Sequence, residues 1–538
     1  MEDRGSFVML RRDSLKKLVD NLPMSMEAIA LLRSKPRIFT KRYDLGKLHN
    51  VLPQACEQVR PFAEAAPAGK RVLIFATLHY WIRHSTLLGL SLAGLGHKVT
   101  LVYLPFPDWR RQFNLLEISR QSSYSHDTLK PAEAFIEIVN LLHVQPVKKL
   151  PMELEEAVNT ISIHDTQYTF ESEEVNLDSD FYRLRQKNNG FAARAIMTWL
   201  RSNRPDVALV PNGVNVEFGA VYRTARYLNI PTVTYEFSED RGQIWLAQNE
   251  EVVRQDTDML WQARGHLPLT AEQRQKVEAL ESARRGARTF GMSDRLWQDV
   301  PAGSVEQTRA ALGLDERPVV LLATNVIGDS LTLERNVFSG SMSEWITNTI
   351  RYFSSRPDIQ LVIRVHPGER YSKGFSMVTV VNNVWPQLPE NIHVIGPLEK
   401  VNTYDIMKLT TLGLIYTTTT GLEMAMDGIP VIIAGDTHYR KRGFTLDPNT
   451  WDEYFETLDR ALANPAGYRL TDEQVDTAWN YAYRFFFEYP RPFPWRVVKF
   501  WKDYETWPLA RVLSDEGQAQ FGRTFRYMAG EPINWSGV

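Results

Sequence analysis

The chain has 538 residues, a formal net charge of −2, and 43% hydrophobic and 23% charged residues. That length suggests two to four domains at roughly 100–200 residues each, and the near-neutral charge gives no bulk electrostatic case for nucleic acid. The single cysteine, Cys56, excludes a disulfide scaffold and a cysteine-rich zinc site.

Residues 1–70 read as a helical lead-in. The start, Met1 to Leu18, has charges interrupting its apolar residues and reads as an amphipathic helix, not a signal peptide. Residues 59–68 are Pro/Ala-rich and read as a linker. Residues 71–76 form a short apolar run of buried-strand type. Residues 81–95 have helical spacing, and residues 97–103 form a second such run. Strand, helix, strand within about 35 residues is a βαβ unit.

Residues 105–180 read as an insertion, with a helix over 131–143 and an acidic segment over 159–180. The βα rhythm then returns. A long helix is expected over 181–202, a strand over 207–211, a helix over 214–228 and a strand over 232–235. From Gln243 to Leu314 the chain reads as charged and mostly helical, with a hinge at Pro301–Gly303.

A second βα series follows, with strands at 318–323, 360–365, 392–395, 412–417 and 430–434. Helices are expected at 341–353, 402–410, 422–427, 452–464 and 471–487. The tail from 471 to 538 is rich in aromatics and reads as helices packing back across the domains. A peripheral membrane contact is the alternative reading. The layout is α/β: 71–300 forms one Rossmann-type domain and 301–470 a second.

The most informative stretch runs from Leu412 to Gly435: strand, Thr417-Thr418-Thr419-Thr420-Gly421, helix, then strand. Hydroxyls and unpaired backbone N–H groups at a strand's carboxyl end suit a phosphate. Glu423 in the following turn either offsets the helix dipole or meets ribose hydroxyls. Arg364, His366 and Pro367 end another strand, and His366 can donate to a phosphoryl oxygen. Asn325 adds a third polar strand end.

Together, Arg364-Val-His366-Pro367-Gly-Glu369, Tyr416 to Glu423, Gly428-Ile-Pro430 and Tyr439 to Thr445 resemble the bacterial capsule-polysaccharide biosynthesis glycosyltransferases, which include Kdo transferases. The resemblance covers about 130 residues, Val319 to Pro448. It implies a GT-B fold, two Rossmann-type domains facing a central cleft. It also implies a nucleotide-sugar donor on the C-terminal domain, a glycan or lipid-linked acceptor on the N-terminal one, and a cytoplasmic enzyme, at the inner membrane face if the acceptor is lipid-linked. On this reading His366, Thr418, Thr419 and Thr420 contact the donor phosphates and Glu423 the ribose.

Glycosyl transfer requires a base for the acceptor hydroxyl and stabilisation of the leaving phosphate. Glu236, Glu239 and Asp240 follow a strand's carboxyl end and are the candidate bases. Asp178-Ser-Asp180 reads as a solvated pair, so metal-independent chemistry with no cofactor is expected, and inversion if the acidic lip holds a single base. His79, Arg83, His84, Asn212, Lys441 and Arg442 are further candidates for acceptor or donor-sugar contacts. The competing readings are a nucleotide-sugar 2-epimerase-like enzyme and a non-catalytic carbohydrate-binding relative.

Overall fold

The computed structural model describes residues 43–240, 242–290, 300–372 and 374–537. The expected amphipathic start therefore lies outside the described residues. Two sheets organise the rest. The first contains β1 (Arg71–Thr77), β2 (Lys98–Leu104), β3 (Ile136–Asn140), β4 (Val207–Pro211), β5 (Thr232–Phe237), β6 (Gln243–Gln248) and β12 (Arg491–Pro492). Its order is β12-β6-β5-β4-β1-β2-β3, with β1 to β5 parallel and β6 and β12 antiparallel to their neighbours.

The second sheet contains β7 (Val319–Ala323), β8 (Gln360–Arg364), β9 (Ile392–Ile395), β10 (Thr410–Ile415) and β11 (Val431–Ile433). Its order is β11-β10-β7-β8-β9, parallel throughout. Parallel strands covered on both faces must be apolar along their length, and β4, β7, β8 and β11 are buried at every position. In each sheet the strand order reverses once, between β1 and β4 and between β7 and β10. Loops leaving adjacent strands there diverge, and the crevice between them is where open α/β sheets bind ligands.

Several segments differ from expectation. The helix Leu48–Ala65 runs through the expected linker, with Pro53 and Pro61 inside it. Its buried stripe of Leu48, Leu52, Ala55, Cys56 and Val59 offsets the proline cost. In place of a helix over 131–143 there is a short 3₁₀ turn and then β3, so the segment expected as an insertion supplies an edge strand. The charged stretch from Gln243 begins with β6, whose Ile244 and Leu246 point into the core.

The tail joins both units. The helix Asp472–Tyr483 packs in the second unit's core. Phe493, Trp495, Phe500 and Phe525 lie in the core of the first. Trp495 is fully buried and donates from Nε1 to the Trp507 carbonyl at 2.8 Å. The tail's aromatics are thus largely consumed by packing. No helix among the described residues is long and apolar enough to cross a membrane.

Carboxylates from the first unit also grip the second. Glu173 accepts from the backbone of Met342 (2.7 Å) and Ser343 (3.1 Å), capping the helix Met342–Ser354, and Glu171 accepts from Gly374 N at 2.6 Å. The expected hinge is tied down as well. Gly303 N donates to Asp405 at 2.6 Å, and Asn402 Nδ2 donates to the Val300 carbonyl at 2.5 Å.

Candidate active site

A cavity of about 510 Å³ lies between the two sheets. Its second-unit wall is made by the carboxyl ends of β7, β8 and β10. Asn325, after β7, and Thr417, after β10, straddle the point where the strand order reverses, and Thr417 N donates to Asn325 Oδ1 at 3.2 Å. Thr418 Oγ1 lies 3.2 Å from Thr420 Oγ1, and Tyr439 Oη donates to the Thr418 carbonyl at 2.5 Å. The buried Thr417 Oγ1 has no partner among the described residues. Gly421 sits behind the run. A Cβ there would meet Tyr439 Oη at 2.4 Å, so close packing requires glycine at this position.

His366 N donates to Thr324 Oγ1 at 3.0 Å, and His366 Nδ1 accepts from Gly368 N at 3.0 Å. An Nδ1 that accepts carries no proton, so the neutral ring holds its hydrogen on Nε2 as a donor. Pro367 continues the turn that makes this contact. Arg364 lines the cavity but is mainly a brace. It donates to the carbonyls of Gly396 (2.7 Å) and Val401 (3.2 Å), and burial pushes its pKa down to about 10.

Glu423 is buried and pairs with Arg284 Nη1 at 2.6 Å. The same guanidinium reaches Glu239 across the cleft at 3.3 Å, and its face lies over the Phe486 ring at 4.3 Å. Phe486 stands on a π-helical turn, Arg484–Glu488, that also brings Phe485 and Phe487 to the cavity. Such turns are frequent at functional sites. The sequence reading missed Arg284, Phe486 and two further lining residues. Asp329 is a carboxylate whose pKa is raised by burial, and Arg335 donates to the Val253 carbonyl at 2.8 Å.

The three acidic candidates separate. Glu239 and Asp240 line the cavity. Asp240 Oδ1 accepts from Gly242 N at 3.1 Å, closing the turn into β6. Glu236 faces a smaller neighbouring pocket, its Oε1 accepting from Phe237 N at 2.9 Å, and burial raises its pKa to about 7.

Other candidates fall elsewhere. His84 is fully buried among Trp81, Phe237, Phe493 and Phe500, and burial lowers its pKa to about 3; it is a core residue. His79 packs on Tyr43 and Tyr80, and neither it nor Arg83 lines the cavity. Arg442 pairs with Asp258, and Lys441 turns its backbone to Asp447 at 2.9 Å; both lie off the cavity. Asn212 lines the smaller pocket. Asp178 is solvated, pairing with Arg183 at 2.9 Å with 89% of its side chain exposed.

Fold and cleft define the class of architecture: two Rossmann-type units facing one cavity, the arrangement called GT-B. No protein-family model matches the chain, and no curated protein does. Solved structures of distant likeness include the β-Kdo 2,4-transferase KpsC of Thermosulfurimonas dismutans, at 15% identity and TM-score 0.36, covering 54% of this chain and 82% of that one. The UDP-GlcNAc 2-epimerase of Neisseria meningitidis aligns at 12% identity and TM-score 0.26, covering 78% and 99%. A glycosyltransferase of Rickettsia africae aligns at 10% identity and TM-score 0.27, covering 86% and 100%.

Arg284→Gln would leave the Glu423 carboxylate buried without its cation. Removing one partner of a buried pair costs about 3–5 kcal/mol. The urea midpoint should fall accordingly, and Arg284→Lys, which keeps the charge but loses the fork, should lose less. A Gln variant within about 1 kcal/mol of the parent would contradict the pairing.

Proposed function

We propose that the protein is a glycosyltransferase that uses a nucleotide-activated sugar and serves surface or capsular glycoconjugate synthesis. One observation carries the reading: the His366 ring, the Thr417–Thr420 run and Asn325 converge on one wall of the cavity, and carboxylates line the other. Fixed donors aimed at one point stabilise charge that develops on a leaving phosphate. The His366 Nε2–H, the N–H groups of Thr418 and Thr419 and the Thr417 hydroxyl would be those donors, since the N–H groups of Thr417 and Thr420 already bond to Asn325 and Thr418. Glu423 lines the same cavity, paired with Arg284, and on this reading would meet the ribose hydroxyls.

The chemistry follows from these roles. The acceptor hydroxyl gives its proton to a carboxylate as its oxygen bonds to the anomeric carbon. The bond from that carbon to the donor phosphate breaks, and the nucleotide leaves with the electron pair. Glu236 suits the base best, because a carboxyl titrating near 7 combines adequate ionisation with useful basicity. Glu239 is already engaged by Arg284. Attack from the face opposite the phosphate inverts the anomeric centre.

Two outcomes follow. Among CMP, UDP and GDP, at least one should raise the melting temperature, with about 2.7 kcal/mol of stabilisation at one hundred times its Kd. His366→Ala should weaken that binding by about 1.5–3 kcal/mol, the worth of a hydrogen bond to a charged group. No shift with any of the three contradicts the donor site.

For activity, the base works ionised. The value of kcat/KM should therefore climb about tenfold per pH unit below the Glu236 pKa of about 7 and level above it. Glu236→Gln should abolish the limb, and a limb that survives this substitution assigns the base elsewhere.

A further inference from the structure

The chain leaving the helix Asp515–Met528 runs back across both units on few anchors. Gln248, on β6, donates to the carbonyls of Tyr527 (3.1 Å) and Glu531 (2.6 Å) and accepts from Ile533 N at 3.2 Å. Arg264 donates to the Ser536 carbonyl at 3.3 Å. Ile533 packs on the core of the first unit and Trp535 on that of the second, while the residues around them are exposed.

Trp535 begins a run of nearly parallel rings that ends in the large cavity. It stacks on Tyr489 with centroids 5.8 Å apart and planes 10° apart. Tyr489 stacks on Phe485 at 6.0 Å and 15°, and Phe485 lies on His438 at 3.7 Å and 12°. Phe485 and His438 both line the cavity. Ring stacking has a preferred geometry, so the position of each ring constrains the next. The middle link is also a backbone link. Tyr489 N donates to the Arg484 carbonyl at 2.8 Å, closing the π-helical turn that carries Phe485 and Phe486. A π-turn is the rare alternative to an α-turn, and a return to α would rotate both rings away from His438 and Arg284.

Trp535 has a second contact of its own. The Arg491 guanidinium lies 4.4 Å from its ring and 5.6 Å from the Tyr527 ring. Arg491 is 5% exposed, and its Nε and Nη2 have no partner among the described residues. Glu488 acts on it only from a distance, being paired with Arg264 and Arg484. Buried polar groups normally find a partner. Here the ring faces take that place, and a cation over an indole favours an aromatic residue at 535 over an aliphatic one.

We infer that Trp535 is a positioning residue for the large cavity. Held by Arg491, it bears on Tyr489 and keeps the π-helical turn in the register that lays Phe485 on His438 and Phe486 on Arg284. This places a control on the cavity outside its own walls. It goes beyond the transferase reading and holds whatever ligand the cavity takes.

The test reads His438 by NMR in the full chain, with ring-labelled histidine in a deuterated background and the resonance assigned by His438→Asn. A histidine C–H over a phenyl face is shifted upfield. Trp535→Ala should lose that shift, and Trp535→Phe, which keeps a ring on Tyr489 and Arg491, should retain it. Gln248→Ala loosens the segment with Trp535 intact and should move His438 the same way by less. His84, buried in the core of the first unit, should stay in place in every variant. If His84 also moves in Trp535→Ala, the Gln248→Ala result decides. His438 unmoved in Trp535→Ala and Gln248→Ala, or displaced as far by Trp535→Phe as by Trp535→Ala, overturns the inference. Whichever nucleotide stabilises the parent should bind severalfold more weakly to Trp535→Ala and normally to Trp535→Phe. A parent that binds none sinks the donor reading, and the His438 resonance still decides this one.

Discussion

A guanidinium with almost no access to water must be paired, and Arg284 finds its carboxylates on opposite sides of the cleft. Its strong partner, Glu423, stands behind the threonine run of the second unit. Its weaker partner, Glu239, belongs to the loop after β5 in the first. Phe486 closes the remaining face of the ion. The pairing therefore fixes three elements at once: the helix ending at Arg285, the turn after β10, and the acidic loop opposite. Burying this charge without both walls in place would cost several kcal/mol. The facing walls of the cavity and the satisfied cation are thus one arrangement, and a ligand in the cavity meets carboxylates whose positions are already set.

How much of this was legible in the sequence follows from the range of the interactions. The strands of both sheets read clearly, because full burial demands unbroken apolar runs such as Val319–Ala323 and Val207–Pro211. His366-Pro367 and the threonine run also stood out, because they are local features at strand ends, and the structure brings both to one cavity wall. Arg284 did not. Its partners lie 45 and 139 residues away, and its helix has the charged composition of a surface segment. The short strands β6 and β12 escaped for a related reason: their antiparallel pairings, β6 along β5 and β12 along β6, are made across the sheet and not within either segment. The π-helical turn at Phe485–Phe487 hides within an aromatic stripe that packing alone would explain.

His84 illustrates the opposite error. A histidine just past a strand end reads as a site residue, yet the helix carrying it turns that position inward, onto the tail aromatics Phe493 and Phe500. Glu236 and Glu239 are close in sequence but face different spaces, one the small pocket beside β4 and the other the large cavity between the sheets.

The central claim is that the phosphate of a nucleotide occupies the large cavity against the β7, β8 and β10 strand ends. Hydrogen–deuterium exchange with and without UDP, or whichever nucleotide binds, measures this directly, because backbone N–H groups are the proposed phosphate donors. Slowed exchange confined to residues 366–370, 417–423 and the facing turn at 238–240 is the predicted result. Protection centred elsewhere, with residues 417–420 exchanging at the unliganded rate, would contradict it.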